Sequence, residues 1–401
     1  MLSAATLGQT GVSSLKVTSV DETEWNNMAD DWRRLLIDAG CDTLFLQHAW
    51  LSTWWHSYRP LYQARLFIVV VRDASGRLVG GAPFFLNRVR HMGCPQRVLQ
   101  LLGQGQSDRL DLPVLSTAVA SALVDYLTGR ARQWDAIELK EIDPAGSFMR
   151  YATQHFGTHF KESSVADSVC SWIEVEGEWQ TFYESAYKGQ KRKKINSEWR
   201  QLNAAYPVSI RFITDLAAEP DILETLADIE RDHPGSGAAR PGAFNDPGLG
   251  GFLRALAPTA DTNNWLMIAV LRCADVDAAY QFWFRHNGRY CGYAMAYRAA
   301  YAEYGVGKLL LLRSLEYFWN SGAQVIDFLR GGEEYKRRLA THEQENRQLS
   351  YVSPAWRGYL QYRLRDSTAP WLARRLPALH RRLTLADRYG WRCALGLRSL
   401  P

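Results

Sequence analysis

The sequence lacks any long apolar run. Its most hydrophobic stretch, LFIVVV at 66–71, falls far short of the roughly 18 uncharged apolar residues of a membrane span and has the size of a strand. The first residues, MLSAATLGQTGVSSLK, have neither a basic start nor an apolar core, so no secretory signal is expected. The six cysteines (41, 94, 170, 273, 291, 393) form no CxxC pair, and no His cluster completes a zinc set. Reduced, mostly buried thiols, a cytoplasmic location and no metal are expected. Phosphate-loop chemistry is also missing. YGVGKLLL has Ala302 where the first Gly of such a loop belongs, and Leu309 where Ser or Thr must follow Lys308. GQGQSD (103–108) lacks the third Gly of a dinucleotide fingerprint, no GxSxG elbow exists, and HEQEN (342–346) is not HExxH. Hydrolase, kinase and zinc-enzyme chemistries lose their support.

What is present is a 401-residue chain, about half apolar and an eighth aromatic, long enough for two or three domains with a large core. The formal charge of +5 is unevenly spread: residues 351–401 hold ten Arg against two Asp, or +8, which leaves −3 for the rest. The basic character thus belongs to an appendage. This tail, 354–401, interleaves Trp, Leu and Tyr with Arg, the pattern of a basic amphipathic helix. Such a helix either lies on an anionic membrane surface, here the inner face, or clasps its own domain.

Residues 12–175 alternate strands and helices. LFIVVV, the turn DASG and RLVGGAPFFL form a predicted hairpin; FLQHAWLSTWWHSY has helical apolar spacing, and AIELKEI (136–142) alternates as a strand does. Residues 176–353 repeat the theme: a Lys- and Arg-rich helical stretch (179–205), the strand VSIRFI, the helix DILETLADIERD, and a Gly- and Pro-rich loop, HPGSGAARPGAFNDPG. That loop is either a lid or disordered. Four more strands follow in WLMIAVLR, AAYQFWFRHNGRYCGYAMAYRAA and AQVIDFL, with the helix GVGKLLLLRSLEYFWNSG before the last. The order predicts an α/β sheet with a parallel crossover. In YKGQKRKKINSEWRQL, Ile195, Trp199 and Leu202 share a face and leave Lys188, Arg192, Lys193 and Arg200 outside, as a solvated face or a basic rim for anions.

Two stretches suggest chemistry. Gly305, Val306, Gly307 and Lys308 stand where a strand gives way to a helix, where free N–H groups, the helix dipole and Lys308 suit a phosphate or diphosphate. An ordinary strand-to-helix turn has the same look. Secondly, VIDFLRGGEEYKRRLA (325–340) is a strand that runs into an unusually charged turn. Alternation there points Asp327 away from Ile326 and Phe328, into a cleft or a packed layer.

The run from Gly288 to Leu339 resembles GNAT-fold acyltransferases, and more narrowly the CelD-like or BioF-associated branch (Acetyltransf_6), distant relatives of the Fem peptidyl transferases. The residues that carry the resemblance are Gly322-Ala323, Asp327-Phe328, Gly331 and Tyr335-Lys336. FLQHAWLSTWW and GQGQSDRLDLPVL fit the family's first half more loosely. The resemblance implies two tandem GNAT-like domains, 12–175 degenerate and 176–353 with the donor turn, and transfer from acetyl-coenzyme A or another acyl-coenzyme A. The acceptor it implies is a small-molecule, glycan or lipid-linked amine or hydroxyl in bacterial cell-envelope or exopolysaccharide biosynthesis. The chain departs from the family at the turn: Ala302 replaces a basic or amide residue, and the acidic Glu303 lies nearby.

Direct acyl transfer needs donor phosphates held, the carbonyl polarised by a strand N–H, a base for the nucleophile and an acid for the thiolate. By family position Tyr335 is the acid or a packing Tyr. Lys336 balances charge or is a surface lysine. Asp327 is a positioning group, a base or one end of a buried ion pair with Arg330. Glu333 and Glu334 are turn residues or supply the base. Asp108 and Arg109 face the cleft from the first half, with Asp108 the candidate deprotonating group and Arg109, Arg330 and Glu333 the acceptor-binding set. Two rival functions carry their own expectations: a Fem-like transferase would bind aminoacyl-tRNA rather than coenzyme A, and a non-catalytic scaffold would bind neither.

Overall fold

The computed structural model describes residues 14–62, 64–91, 94–237, 241–363 and 374–375; most of the predicted basic tail, with Cys393, lies outside them. Twelve strands are described: β1 Lys16–Val20, β2 Arg65–Arg72, β3 Leu78–His91, β4 Cys94–Leu101, β5 Ala136–Ile142, β6 Lys161–Glu174, β7 Val208–Ile213, β8 Leu266–Cys273, β9 Val276–His286, β10 Arg289–Tyr297, β11 Val325–Arg330 and β12 His342–Val352. They form one sheet in the order β1-β2-β3-β4-β5-β12-β6-β11-β10-β9-β8-β7. The α/β class with a mixed sheet, expected from the element order, is what the chain adopts.

The order contains an exchange. β12, the last strand of the second half, inserts between β5 and β6 of the first, while β6 lies between β12 and β11. Each half therefore completes its sheet with a strand of the other. In both halves a parallel pair, β4 with β5 and β10 with β11, is joined through a helix, Thr117–Gly129 or Val306–Asn320. The C-terminal ends of β5 and β11 point toward each other across β12 and β6: Arg347 of β12 is level with Ile142, and Arg330 is level with Cys170. The ends that carry chemistry in each half meet at the middle of the molecule.

Helices cover both faces of the sheet, which explains why β2 and β8 read as continuous apolar runs. One core joins the two halves: the Trp50 ring packs edge-on against Phe252, Phe284 and Tyr293, and its indole N–H donates to Ser107 Oγ at 2.9 Å. The other core lies under the leucine-rich helix Val306–Asn320. The Gly80-Gly81 pair of β3 has a steric cause: a Cβ on Gly81 would sit 2.4 Å from the Trp32 ring, and one on Gly80 2.4 Å from Val119. The loop predicted as a lid or disordered is tethered over 244–245: the buried Glu230 carboxylate accepts the N–H of Phe244 (2.9 Å), the Asn245 side chain (3.1 Å) and the Tyr280 hydroxyl. The five cysteines among the described residues are free. No helix among those residues is long and apolar enough to cross a membrane.

The strand exchange makes a prediction. Residues 177–401 expressed alone lack β6, so β11 loses its outer partner and β12 both of its own. We expect insoluble protein, and a soluble complex when 1–176 is co-expressed. A soluble, monomeric fragment in size-exclusion chromatography would count against the exchange.

Candidate active site

β10 and β11 pair only over Arg289–Cys291 and Val325–Asp327, and beyond Cys291 they part. Two local distortions open the gap. On β10 the pairing with β9 shifts between Gly292 and Ala294, leaving Tyr293 as the extra residue of a bulge. Gly292 is required there because a Cβ would lie 2.9 Å from the Trp283 ring. On β11, Leu329 has φ 59°, and Gly331 follows at φ 137°. Arg109 and Glu141, which meet β11 from the first half, are also left-handed, at φ 52° and 56°. Such conformations cost of order 1–3 kcal/mol each for non-glycine residues and collect where geometry serves a function.

The gap contains a cavity of about 340 Å³, lined by Gln106, Asp108, Tyr293, Met295, Arg330, Glu333, Tyr335 and Lys336 among others. Asp108, Arg330, Glu333, Tyr335 and Lys336 were all candidates from sequence, and the fold brings them together. Asp108 is buried. Its Oδ2 accepts the Arg330 N–H at 3.1 Å, while its Oδ1 makes no hydrogen bond and lies 3.4 Å from Arg330 Nε. Burial pushes the carboxyl up to about 6, against the pull of Arg330. Asp111, three residues on, is likewise pushed up to about 6 by burial. Its oxygens, however, accept the N–H groups of Leu112, Ser147 and Phe148 at 2.6–2.8 Å, so it is a structural cap. Asp108 alone of the pair keeps an unused oxygen.

Lys336 is buried rather than on a helix surface. Its Nζ donates to the Arg330 carbonyl at 2.7 Å and lies 3.1 Å from Glu333, whose side chain is 56% exposed. The Tyr335 hydroxyl is held protonated by burial, in an edge-on contact with Phe328. Tyr293, which sequence reading passed over, donates its hydroxyl to the Gln106 carbonyl at 2.8 Å and ties the first-half loop to β10. Its only sequence signal was a tyrosine within a strand next to a glycine.

Asp327 does not line the cavity. Fully buried, it pairs with Arg109 and, at 2.8 Å, with Arg289, and accepts the Leu329 N–H at 2.9 Å. The ion pair with Arg330, one of the alternatives for Asp327, is not formed: Arg330 turns the other way, to Asp108, Glu141 and the Gly105 carbonyl. The pairing with β6 is broken between Asp327 and Arg330, with Leu329 left-handed, so simple alternation along β11 does not place the two residues together. Arg109 lies over the Trp172 ring, 5.0 Å from its centroid, and likewise stays outside the cavity.

The Gly305-Val306-Gly307-Lys308 turn caps the Val306–Asn320 helix, with Gly305 at φ 65°. Gly307 lets the turn pack closely on the Tyr297 ring, which a Cβ there would approach to 3.0 Å. The first-turn N–H groups are free of helical partners. Lys308 is not free: it pairs with Glu198 of the basic helix Gly189–Ala205, and a Cβ on Gly305 would lie 3.8 Å from that carboxyl carbon. An acidic group therefore stands at the turn. It came from a helix read for its apolar face and its basic residues, not for its acidic ones. No group of three or more His, Cys, Asp or Glu among the described residues could hold a metal ion.

Residues 189–337 match the family Acetyltransf_6, described as Acetyltransferase (GNAT) domain. No curated protein matches the chain. Among solved structures, FemX superposes with a TM-score of 0.59 at 9% identity, over 88% of this chain and 100% of that one. L-PGS from Bacillus licheniformis gives 0.49 at 11% identity, over 86% and 96%, and a tandem GNAT protein from the clavulanic acid biosynthesis pathway 0.44 at 13%, over 85% and 100%. The chain shares the FemX fold, and its 189–337 segment matches the GNAT acetyltransferase domain model.

The raised Asp108 carboxyl has a linkage consequence. A carboxyl at about 6 when folded and about 3.8 when unfolded adds stability that is intact below 3.8 and lost as pH rises through 6. The stability difference between wild type and Asp108→Asn, from urea unfolding, should therefore shift against wild type by roughly 2–3 kcal/mol between pH 4 and pH 8. A difference flat with pH would remove the perturbed carboxyl.

Proposed function

We propose that the protein transfers an acetyl or other acyl group from acyl-coenzyme A to an amine or hydroxyl, with Asp108 as the base. The observation that carries this reading is the parting of β10 and β11 over a cavity that holds a half-satisfied carboxylate titrating near neutrality. A base is most effective with a pKa near the working pH.

In this reading the acyl thioester lies along β10 beyond Cys291, where a strand N–H with no β11 partner polarises its carbonyl. Asp108 removes the proton from the acceptor as its nitrogen or oxygen bonds to the acyl carbon. The carbon–sulfur bond then breaks, and Tyr335, kept protonated by burial, donates to the departing thiolate. Lys336, tied to the Arg330 carbonyl, offsets the charge that develops. Val306 and Gly307 present N–H groups to the diphosphate, while the Gly305 N–H is given to the Ala302 carbonyl at 3.0 Å. Arg330 and the half-exposed Glu333 face the acceptor. The acceptor class we propose is a sugar or cell-envelope precursor, which follows from family association. Residues 12–175 and 176–353 are then tandem GNAT-like repeats, the first without a donor turn.

The Glu198–Lys308 pair favours a second reading. A carboxylate at the turn opposes a diphosphate, so an aminoacyl-tRNA donor, seated elsewhere, is the alternative. Calorimetry separates the two. Acetyl-coenzyme A should bind, and Glu198→Gln, which frees Lys308, should tighten it about three- to tenfold. Absence of binding at millimolar donor, with tRNA bound instead, selects the second reading.

Turnover gives a separate check. kcat/KM should fall as pH drops through about 6, because protonated Asp108 is no longer a base. Asp108→Asn should lower kcat on the order of 10²–10⁴. Tyr335→Phe and Lys336→Ala should reduce kcat more than stability. Unchanged turnover in all three would remove the site assignment.

A further inference from the structure

Far from the cleft, beside the N-terminal end of β4, four arginines converge. Arg65 of β2, Arg88 of β3, Arg97 of β4 and Arg132, which precedes β5, line a cavity of about 440 Å³ with Leu86 and Gln133. Arg88 and Arg97 stand directly opposite each other on adjacent strands, an unfavourable placement for like charges. One carboxylate serves the group: Asp135 accepts from Arg97 at 2.8 Å and 3.1 Å, and also lies 3.6 Å from Arg357. Among the described residues, Arg65, Arg88 and Arg132 have no carboxylate partner. Exposed arginines are ordinary on a flat face. Convergence on a concavity of ligand size, with so little acidic compensation, describes an anion site.

The surroundings select the anion. The helix Trp356–Arg363 packs beside Asp135, where a Cβ on Gly358 would lie 2.9 Å from the Asp135 carbonyl. This helix leaves Trp356 73% and Leu360 49% exposed. It leads into the part of the chain with ten Arg and two Asp from 351 to 401. An arginine-lined cavity beside bare apolar side chains, in a chain whose residues 351–401 carry ten Arg against two Asp, suits the headgroup layer of an anionic membrane.

We propose that the Arg65–Arg88–Arg97–Arg132 cavity is a binding site for the phosphate of an anionic phospholipid, which seats this end of the protein on a membrane surface. The site is independent of the acyl-transfer chemistry, so either reading can fail without the other. The test is co-sedimentation of the full-length protein with phosphatidylcholine vesicles, with and without about one-third phosphatidylglycerol. Wild type should bind only the anionic vesicles. Arg88→Glu with Arg132→Glu, tail intact, should weaken that binding about tenfold or more, given the attraction contributed by each surface arginine. Arg88→Gln with Arg132→Gln should fall between, and Trp356→Ala should weaken binding further. Unfolding midpoints and acetyl-coenzyme A binding of the variants should match wild type. Three results would overturn the site: charge-reversed protein that binds anionic vesicles as wild type does, an Arg88- and Arg132-dependent affinity for tRNA without one for vesicles, or calorimetric binding of inorganic phosphate with no vesicle binding.

Discussion

The two halves are held in register by crossed ion pairs at the centre of the sheet. Arg109 of the first half pairs with Asp327 of the second, and Arg330 of the second with Asp108 and Glu141 of the first. All three carboxylates are buried, so removing their arginine partners would strand buried acidic groups at a cost of several kcal/mol. Neither half can satisfy this chemistry alone. The strand exchange of β6 and β12 imposes the same dependence on the backbone.

That junction also creates the cavity. The loop carrying Asp108 is drawn across the middle of the molecule by its contacts with β11 and by the Tyr293 hydroxyl on Gln106. It thereby brings a first-half carboxylate to the place where β10 and β11 part. Burial among protein groups, rather than any special sequence around it, lifts that carboxyl toward neutrality. The left-handed residues at Arg109, Glu141 and Leu329 are the backbone cost of turning three chain segments toward one point.

A region of uncompensated charge lies at the opposite end of the first half, where the arginine cavity and the exposed Trp356 lie beside Asp135. The central cavity and the arginine-lined cavity are separate features of one continuous sheet. Electrostatics differ between them for a simple reason: in the centre arginines meet buried carboxylates, and at the end three of the four do not.

Much of the local structure was determined by sequence alone. Period-2 and helical apolar spacing fixed the strands LFIVVV, AIELKEI and VIDFL and the leucine-rich helix, because each depends on neighbours within a few residues. The turn at Gly305 was legible as a strand-to-helix junction, whereas Tyr335 and Lys336 were singled out by family resemblance and not by periodicity. Partners distant in the chain were not legible. The one ion-pair partner that sequence suggested for Asp327 was Arg330, its near neighbour, whereas the fold gives it Arg109 and Arg289. Glu198 reaches Lys308, and Arg65 joins Arg88, Arg97 and Arg132, only because the sheet assembles in one particular order. Composition and periodicity encode which face a residue presents; which charge waits across the interface is decided by long-range strand pairing, to which local pattern is blind.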